Sequence, residues 1–267
     1  MRTAADESRG SSHPLTVRIM TAPRTALLPR PRAAEVLPAP AAARRPWTTA
    51  LRALACGAAT AGPAITLATG STPPPLIHFT VLANLLVAVA FGWSAVRSWR
   101  GAPPLPSYLT GGVLLLAAIT GLMHHLVLVN YTETLAPSSA WPVAATVLLH
   151  TVTPLAVAAD WLLLTAPRTL RLAHIPLWLT APAAYLALAL TRGALLAPGS
   201  PARYPYPFLD VDTYGYAGTL TQALALGLLF TALATLITAA DHLRPNVAGW
   251  IRHRRNRISP PAAGGLK

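Results

Sequence analysis

Six blocks of about twenty apolar residues, separated by short turn-forming connections, leave this chain few ways to fold. The blocks fall at roughly 47–69, 76–97, 108–130, 141–165, 174–196 and 215–240. Each is long enough to cross the hydrocarbon core of a bilayer as a helix. Inside lipid, backbone polar groups must be satisfied within the segment, which leaves a helix bundle as the economical solution. The connections STPPP, RGAPPLPS, APSS and APRT carry the residues that end helices. Composition agrees: 53% of the 267 residues are hydrophobic and only 11% charged, against roughly 25% charged in a soluble domain. The expectation is an all-α bundle of six transmembrane helices over 46–241. A disordered basic tail rich in Ala, Pro and Arg precedes it (1–45), and a basic tail follows it (242–267).

The net charge of +13 does not argue for nucleic acid, because the basic residues sit between apolar blocks rather than interleaved with aromatics on one face. Their placement reads as topology. Eight Arg precede residue 46, Arg97 and Arg100 lie between spans two and three, Arg168 and Arg171 between four and five, and six more basic residues follow span six. With six spans these eighteen share one side, and only Arg192 and Arg203 lie on the other. That bias predicts a multi-pass cell-membrane protein with both termini cytoplasmic. No uninterrupted apolar stretch follows the early arginines, which argues against a cleaved signal peptide, and Met20 offers an alternative start. The single cysteine, Cys56, excludes an internal disulfide and Cys-based metal motifs.

Orientation converts residue numbers into depths. At about 1.5 Å per residue, Thr80 lies roughly 6 Å and Asn84 roughly 12 Å into span two, on one face, and His150 on the order of 13 Å into span four. His124 and His125 sit about 8 Å below the outer end of span three. Thr80, Asn84, His124 and His150 therefore share the outer half of the bilayer, where an ionisable group is a candidate for function. Plainer roles stand beside this. Thr80 could bond its own helix backbone, Asn84 could join two helices, and His150 could make a structural hydrogen bond. Adjacent residues on a helix point about 100° apart, so His124 and His125 are not expected to face one site together. Asp160 falls near the opposite end of span four, marking the interface or pairing with Arg168 or Arg171. Arg52 is near an end of span one and can snorkel.

Paired axial histidines could hold a haem between spans. The histidines lack chelate spacing and have no Cys or close carboxylate beside them, so neither metal nor cofactor is expected. The connection ARYPYPFLDVDTYGY, 202–216, holds four tyrosines with Phe208, Asp210 and Asp212. It reads either as an interfacial aromatic belt or, because its prolines restrict its shape, as a lid that brings Tyr204, Tyr206 or Asp210 near the Thr80–His150 level.

Three stretches, HFTVLANLLVAVAF (78–91), LLHTVTPLAVAADWLL (148–163) and YPYPFLD (204–210), resemble motifs of the androgen-induced-gene family of multispan membrane proteins. That family includes intramembrane threonine hydrolases of fatty acid esters of hydroxy fatty acids. The resemblance spans roughly 65–240 and implies a membrane lipid ester as substrate, with Thr80 as nucleophile and His150 as its partner. Tyr206, Pro207, Phe208, Leu209 and Asp210 match the third motif. Pro154 falls four residues after His150, one closer than in the animal enzymes. A neutral imidazole within reach would activate the threonine hydroxyl, and Asn84 or a loop tyrosine would supply an oxyanion donor. The alternative is a non-enzymatic binder or transporter of a lipid or other apolar ligand using the same pocket.

Overall fold

The structure is a computed structural model that describes residues 45–69, 75–127, 140–200, 202–247 and 249–250. The segments read as basic tails, apart from their edges, and the 131–139 connection lie outside the described residues. Those described are helical and contain no strand. Six helices are long and apolar enough to cross a membrane: α1 (Pro46–Ala68), α2 (Phe79–Trp99), α3 (Ser107–Leu126), α4 (Ala140–Leu163), α5 (Ile175–Leu195, extended by a 3-10 turn at Leu172–His174) and α6 (Val211–Leu243). The chain is a multi-pass membrane protein. Most blocks begin and end within a few residues of their apolar runs. The exception is α6, which extends the apolar run by a turn at its start and kinks at Gly215, where φ is +65°. That backbone conformation suits glycine.

α3 is the hub. It packs on α2, α4, α5 and α6, while α1 lies along α2 and α4. Leu115 and Ile119 of α3, Val87 of α2, Ala59 of α1 and Ala234 of α6 are fully buried at these seams. Small residues dominate the α1 face, so backbones approach closely, as expected where lipid tails are as apolar as the side chains they compete with. Exposed Leu and Val on the outer faces, such as Leu155, Leu224 and Leu228, are what a lipid-facing surface requires.

Two polar clusters hold the end of the bundle where α1 starts and α4 stops. Asp160 was expected to mark the interface or to pair with Arg168 or Arg171. It pairs instead with Arg52, at 2.8 Å, and Arg52 also donates to Ser98 Oγ at 2.8 Å. Arg52 is therefore buried between α1, α2 and α4 rather than snorkelling. Its side chain points inward because a carboxylate and a hydroxyl wait there, whereas lipid offers neither. The second cluster centres on Asp241, fully buried near the end of α6. It accepts from the backbone N–H of Thr169 (2.8 Å) and Leu170 (3.0 Å), from Trp161 Nε1 (3.0 Å) and from Arg244 Nη2 (2.8 Å). Arg244 also caps the carbonyls of Thr165 and Ala166. One carboxylate thus ties the α4–α5 connection to α6.

Candidate active site

The helix carrying His150 is not regular. Pro154 has no N–H to offer the His150 carbonyl four residues earlier, and its ring would crowd that carbonyl. The chain relieves this by a π-turn at Leu148–Val152, in which Thr153 N–H bonds to the Leu148 carbonyl five residues back. The bulge frees the carbonyls of Leu149 and His150 from the helical ladder. Asn84 of α2 reaches across and donates its Nδ2 to Leu149 O at 3.3 Å, while also bonding Thr80 O at 2.9 Å. The His150 carbonyl faces Gly121 of α3, where an added Cβ would lie 3.3 Å from it. Single π-turns of this kind occur often at functional sites.

Asn84 is thus an interhelical bond, made to one of the two carbonyls the bulge frees. Replacing it by leucine, of similar volume, is expected to cost about 1–3 kcal/mol, the penalty of a buried acceptor left without a donor. A detergent thermal melt of Asn84→Leu checks this, and an unchanged midpoint would remove the role assigned to the side chain.

Thr80 stands in the first turn of α2 and is buried. It opens on a cavity of about 220 Å³ walled by α2, α3, α5, α6 and the 206–209 turn. Phe79, Ile119, Met123, Leu186 and Phe230 give the walls an apolar character; Thr80, Thr120 and two tyrosines supply the polar atoms. Tyr206 closes one end. Its hydroxyl is turned toward the Thr80 hydroxyl and the first N–H groups of α2, the donors that a helix start leaves unsatisfied. Burial raises the phenol above its ordinary value, and those hydrogen bonds only partly oppose the rise. The ring stacks on Phe208 with centroids 5.1 Å apart and meets His78 and Tyr185 edge-on. Tyr185, which sequence reasoning passed over, bonds the Ile77 carbonyl at 2.8 Å. Its signal was a lone phenol inside an Ala- and Leu-rich span.

The histidines form a separate group. His150 stacks on His124 with centroids 4.0 Å apart and planes 21° from parallel. His125 bonds Thr151 Oγ1 at 3.0 Å. Both histidines of α3 therefore meet α4, with rings 80° apart and on different residues, as the divergence of adjacent positions requires. Rings stacked this closely leave no room for a macrocycle between them, and among the described residues no cluster of three or more metal-ligating side chains occurs. His150 Nδ1 lies 3.0 Å from the Thr146 carbonyl. A carbonyl only accepts, so Nδ1 carries the proton and the neutral ring presents Nε2 as a base. None of the described hydrogen bonds joins His150 to Thr80; the link between them is Asn84.

Asp210 faces neither residue. It caps α6, accepting from Asp212 N–H at 3.0 Å and Thr213 Oγ1 at 2.7 Å. Tyr204 lies flat against Gly193, where any Cβ would come within 2.0 Å of its ring. Beside it, Arg203 pairs with Asp212 and bonds the Gly193 carbonyl. Tyr204 and Asp210 thus fix the ends of the turn that carries Tyr206.

The chain matches no protein-family model, no curated protein and no solved structure.

Proposed function

We propose that the protein is an intramembrane hydrolase of a lipid ester, with Thr80 as nucleophile and His150 as general base, as its resemblance to the androgen-induced-gene threonine hydrolases implies. The observation that carries this reading is the hydroxyl of Thr80, placed at a helix N-terminus on the wall of an apolar cavity under Tyr206. On this reading an ester oxygen displaces the Tyr206 hydroxyl from the Phe79 and Thr80 N–H groups, which then stabilise the developing oxyanion together with the phenol O–H. The acyl chain would fill the apolar part of the cavity.

In the first step the Thr80 oxygen bonds to the ester carbonyl carbon and its proton passes to His150 Nε2. Collapse breaks the carbon–oxygen bond, and the leaving alcohol takes the proton back. Water then cleaves the acyl-threonine with the same base, releasing a carboxylic acid. On this reading His150 turns toward Thr80 once substrate fills the cavity. The π-turn is where such a rotation costs least, because its ladder is already broken at Leu149 and His150.

The rival reading, an apolar-ligand carrier, draws on the apolar walls and on the hydrogen bond that holds His150 at Thr146. The two differ in turnover. Purified protein should hydrolyse a long-chain ester of a hydroxy fatty acid, with Thr80→Ser retaining part of the rate. A ligand bound tightly but never cleaved would favour the carrier.

The reading also places Thr80 in the outer leaflet of the cell membrane, with both termini cytoplasmic, from the bias of eighteen basic residues against two. Alkaline phosphatase fused after Lys267 should stay inactive, and fused within 131–139 should be active. The reverse pattern would put the site in the other leaflet.

A further inference from the structure

At the opposite end of the bundle from Thr80 lies a larger cavity, of about 970 Å³, that the proposed hydrolysis does not use. Its charged wall comprises Arg45, Arg52, Arg168 and Arg171 against a single acid, Asp160. That acid is already consumed by Arg52, and Thr165 Oγ1 lies 3.2 Å from its second oxygen. Arg168 Nε is engaged by the His242 carbonyl. Arg45 and Arg171 make no side-chain hydrogen bond or ion pair among the described residues. His174 shares this wall, and its Nδ1 is buried without a partner among them. The remaining wall mixes apolar side chains, among them Phe91, Leu114, Val157 and Trp161, with hydroxyls such as Ser94 and Thr110.

We propose that this cavity binds an acyl amphiphile with an anionic head. The carboxylate or phosphate lies among Arg45, Arg171 and His174, and the chain runs along Phe91, Leu114 and Val157. Arginines gathered without counter-charge at the mouth of an open cleft, Arg171 among them exposed, attract an anion through their summed field. A free anion would satisfy the arginines and leave the apolar wall facing water, whereas a neutral lipid would leave the arginines unmatched. Only a molecule carrying both features satisfies both walls. The inference stands apart from the hydrolase reading, since it shares no residue with the Thr80 cavity.

The probe is cis-parinarate, a fluorescent fatty carboxylate, added to the full chain in neutral detergent and read by energy transfer from tryptophan, with Trp47 and Trp161 in the cavity wall. Its methyl ester reports binding that ignores charge. Arg45→Glu with Arg171→Glu should weaken parinarate at least about tenfold, each basic side chain near a lipid head being worth on the order of 1 kcal/mol. The methyl ester should be unaffected. Both arginines bond only through their backbones among the described residues, which the substitutions keep, so the thermal midpoint should hold; Arg171→Gln alone, expected to weaken parinarate severalfold, serves if the double variant does not fold. Dioleoylphosphatidylglycerol should displace the probe and dioleoylphosphatidylcholine should not. Displacement by inorganic phosphate but not by phosphatidylglycerol would overturn the amphiphile in favour of a free anion. Unchanged parinarate affinity in the variants, or equal binding of acid and methyl ester, would overturn the site altogether.

Discussion

Thr80→Ala should abolish ester hydrolysis, and His150→Ala should do nearly the same. Loss of a nucleophile or its base typically costs at least about a thousandfold in rate, and groups that act as one unit do not add. The double variant should therefore be no slower than Thr80→Ala alone. Both side chains leave the fold intact on this account: Thr80 presents its hydroxyl to a cavity, and the ring of His150 stacks on His124 without bridging any pair of helices by a buried ion pair. Detergent size-exclusion profiles should match the wild type. Additive losses would mean that the two residues act separately, as they would if His150 served only to pack against α3. Tyr206→Phe separates the donors from the base. It removes the phenol hydroxyl and keeps the ring stack on Phe208, so turnover should fall and the thermal midpoint should drop modestly, because the N–H groups at the start of α2 lose an acceptor.

The largest effect on stability is expected at Asp241. Asp241→Ala would strand the N–H groups of Thr169 and Leu170, the Trp161 indole and the Arg244 guanidinium at once. Breaking a buried charge pair by removing one partner costs about 3–5 kcal/mol, which for a chain of this size lowers a thermal midpoint by on the order of 10 °C. Adding Arg244→Met should recover part of the loss, because the stranded cation is then gone. If Asp241→Ala melts like wild type, the α4–α5 connection is held by something other than this carboxylate.

The architecture was legible because the constraint is severe. A bilayer demands about twenty apolar residues per helix, and six such runs stand out whatever their details. The polar contacts within the bundle were legible only in part, and the reason differs from case to case. The alternation of spans already places Arg52 and Asp160 at one end, yet proximity along the chain favours Arg168 and Arg171 as the partners of Asp160. The choice falls to Arg52 because α1 packs against α4, a fact no periodicity encodes. Pro154 announces a disturbed helix around His150. Which carbonyls it frees, and that Asn84 answers one of them, depends on the register between α2 and α4. Asp241 gave no signal, since a carboxylate at the end of a span reads as an interfacial residue until the two backbone N–H groups it accepts from are seen. Tyr206 owes its place over Thr80 to Asp210 capping α6 and Tyr204 lying on Gly193, contacts that follow from tertiary packing rather than from the tyrosines themselves.

The proposed nucleophilic role of Thr80 is open to direct measurement. Purified protein treated with a fluorophosphonate probe should acquire a covalent adduct, and peptide mass spectrometry should place it on Thr80. The adduct should be absent in Thr80→Ala and strongly reduced in His150→Ala. An adduct on another residue, or undiminished labelling of Thr80→Ala, would contradict the account.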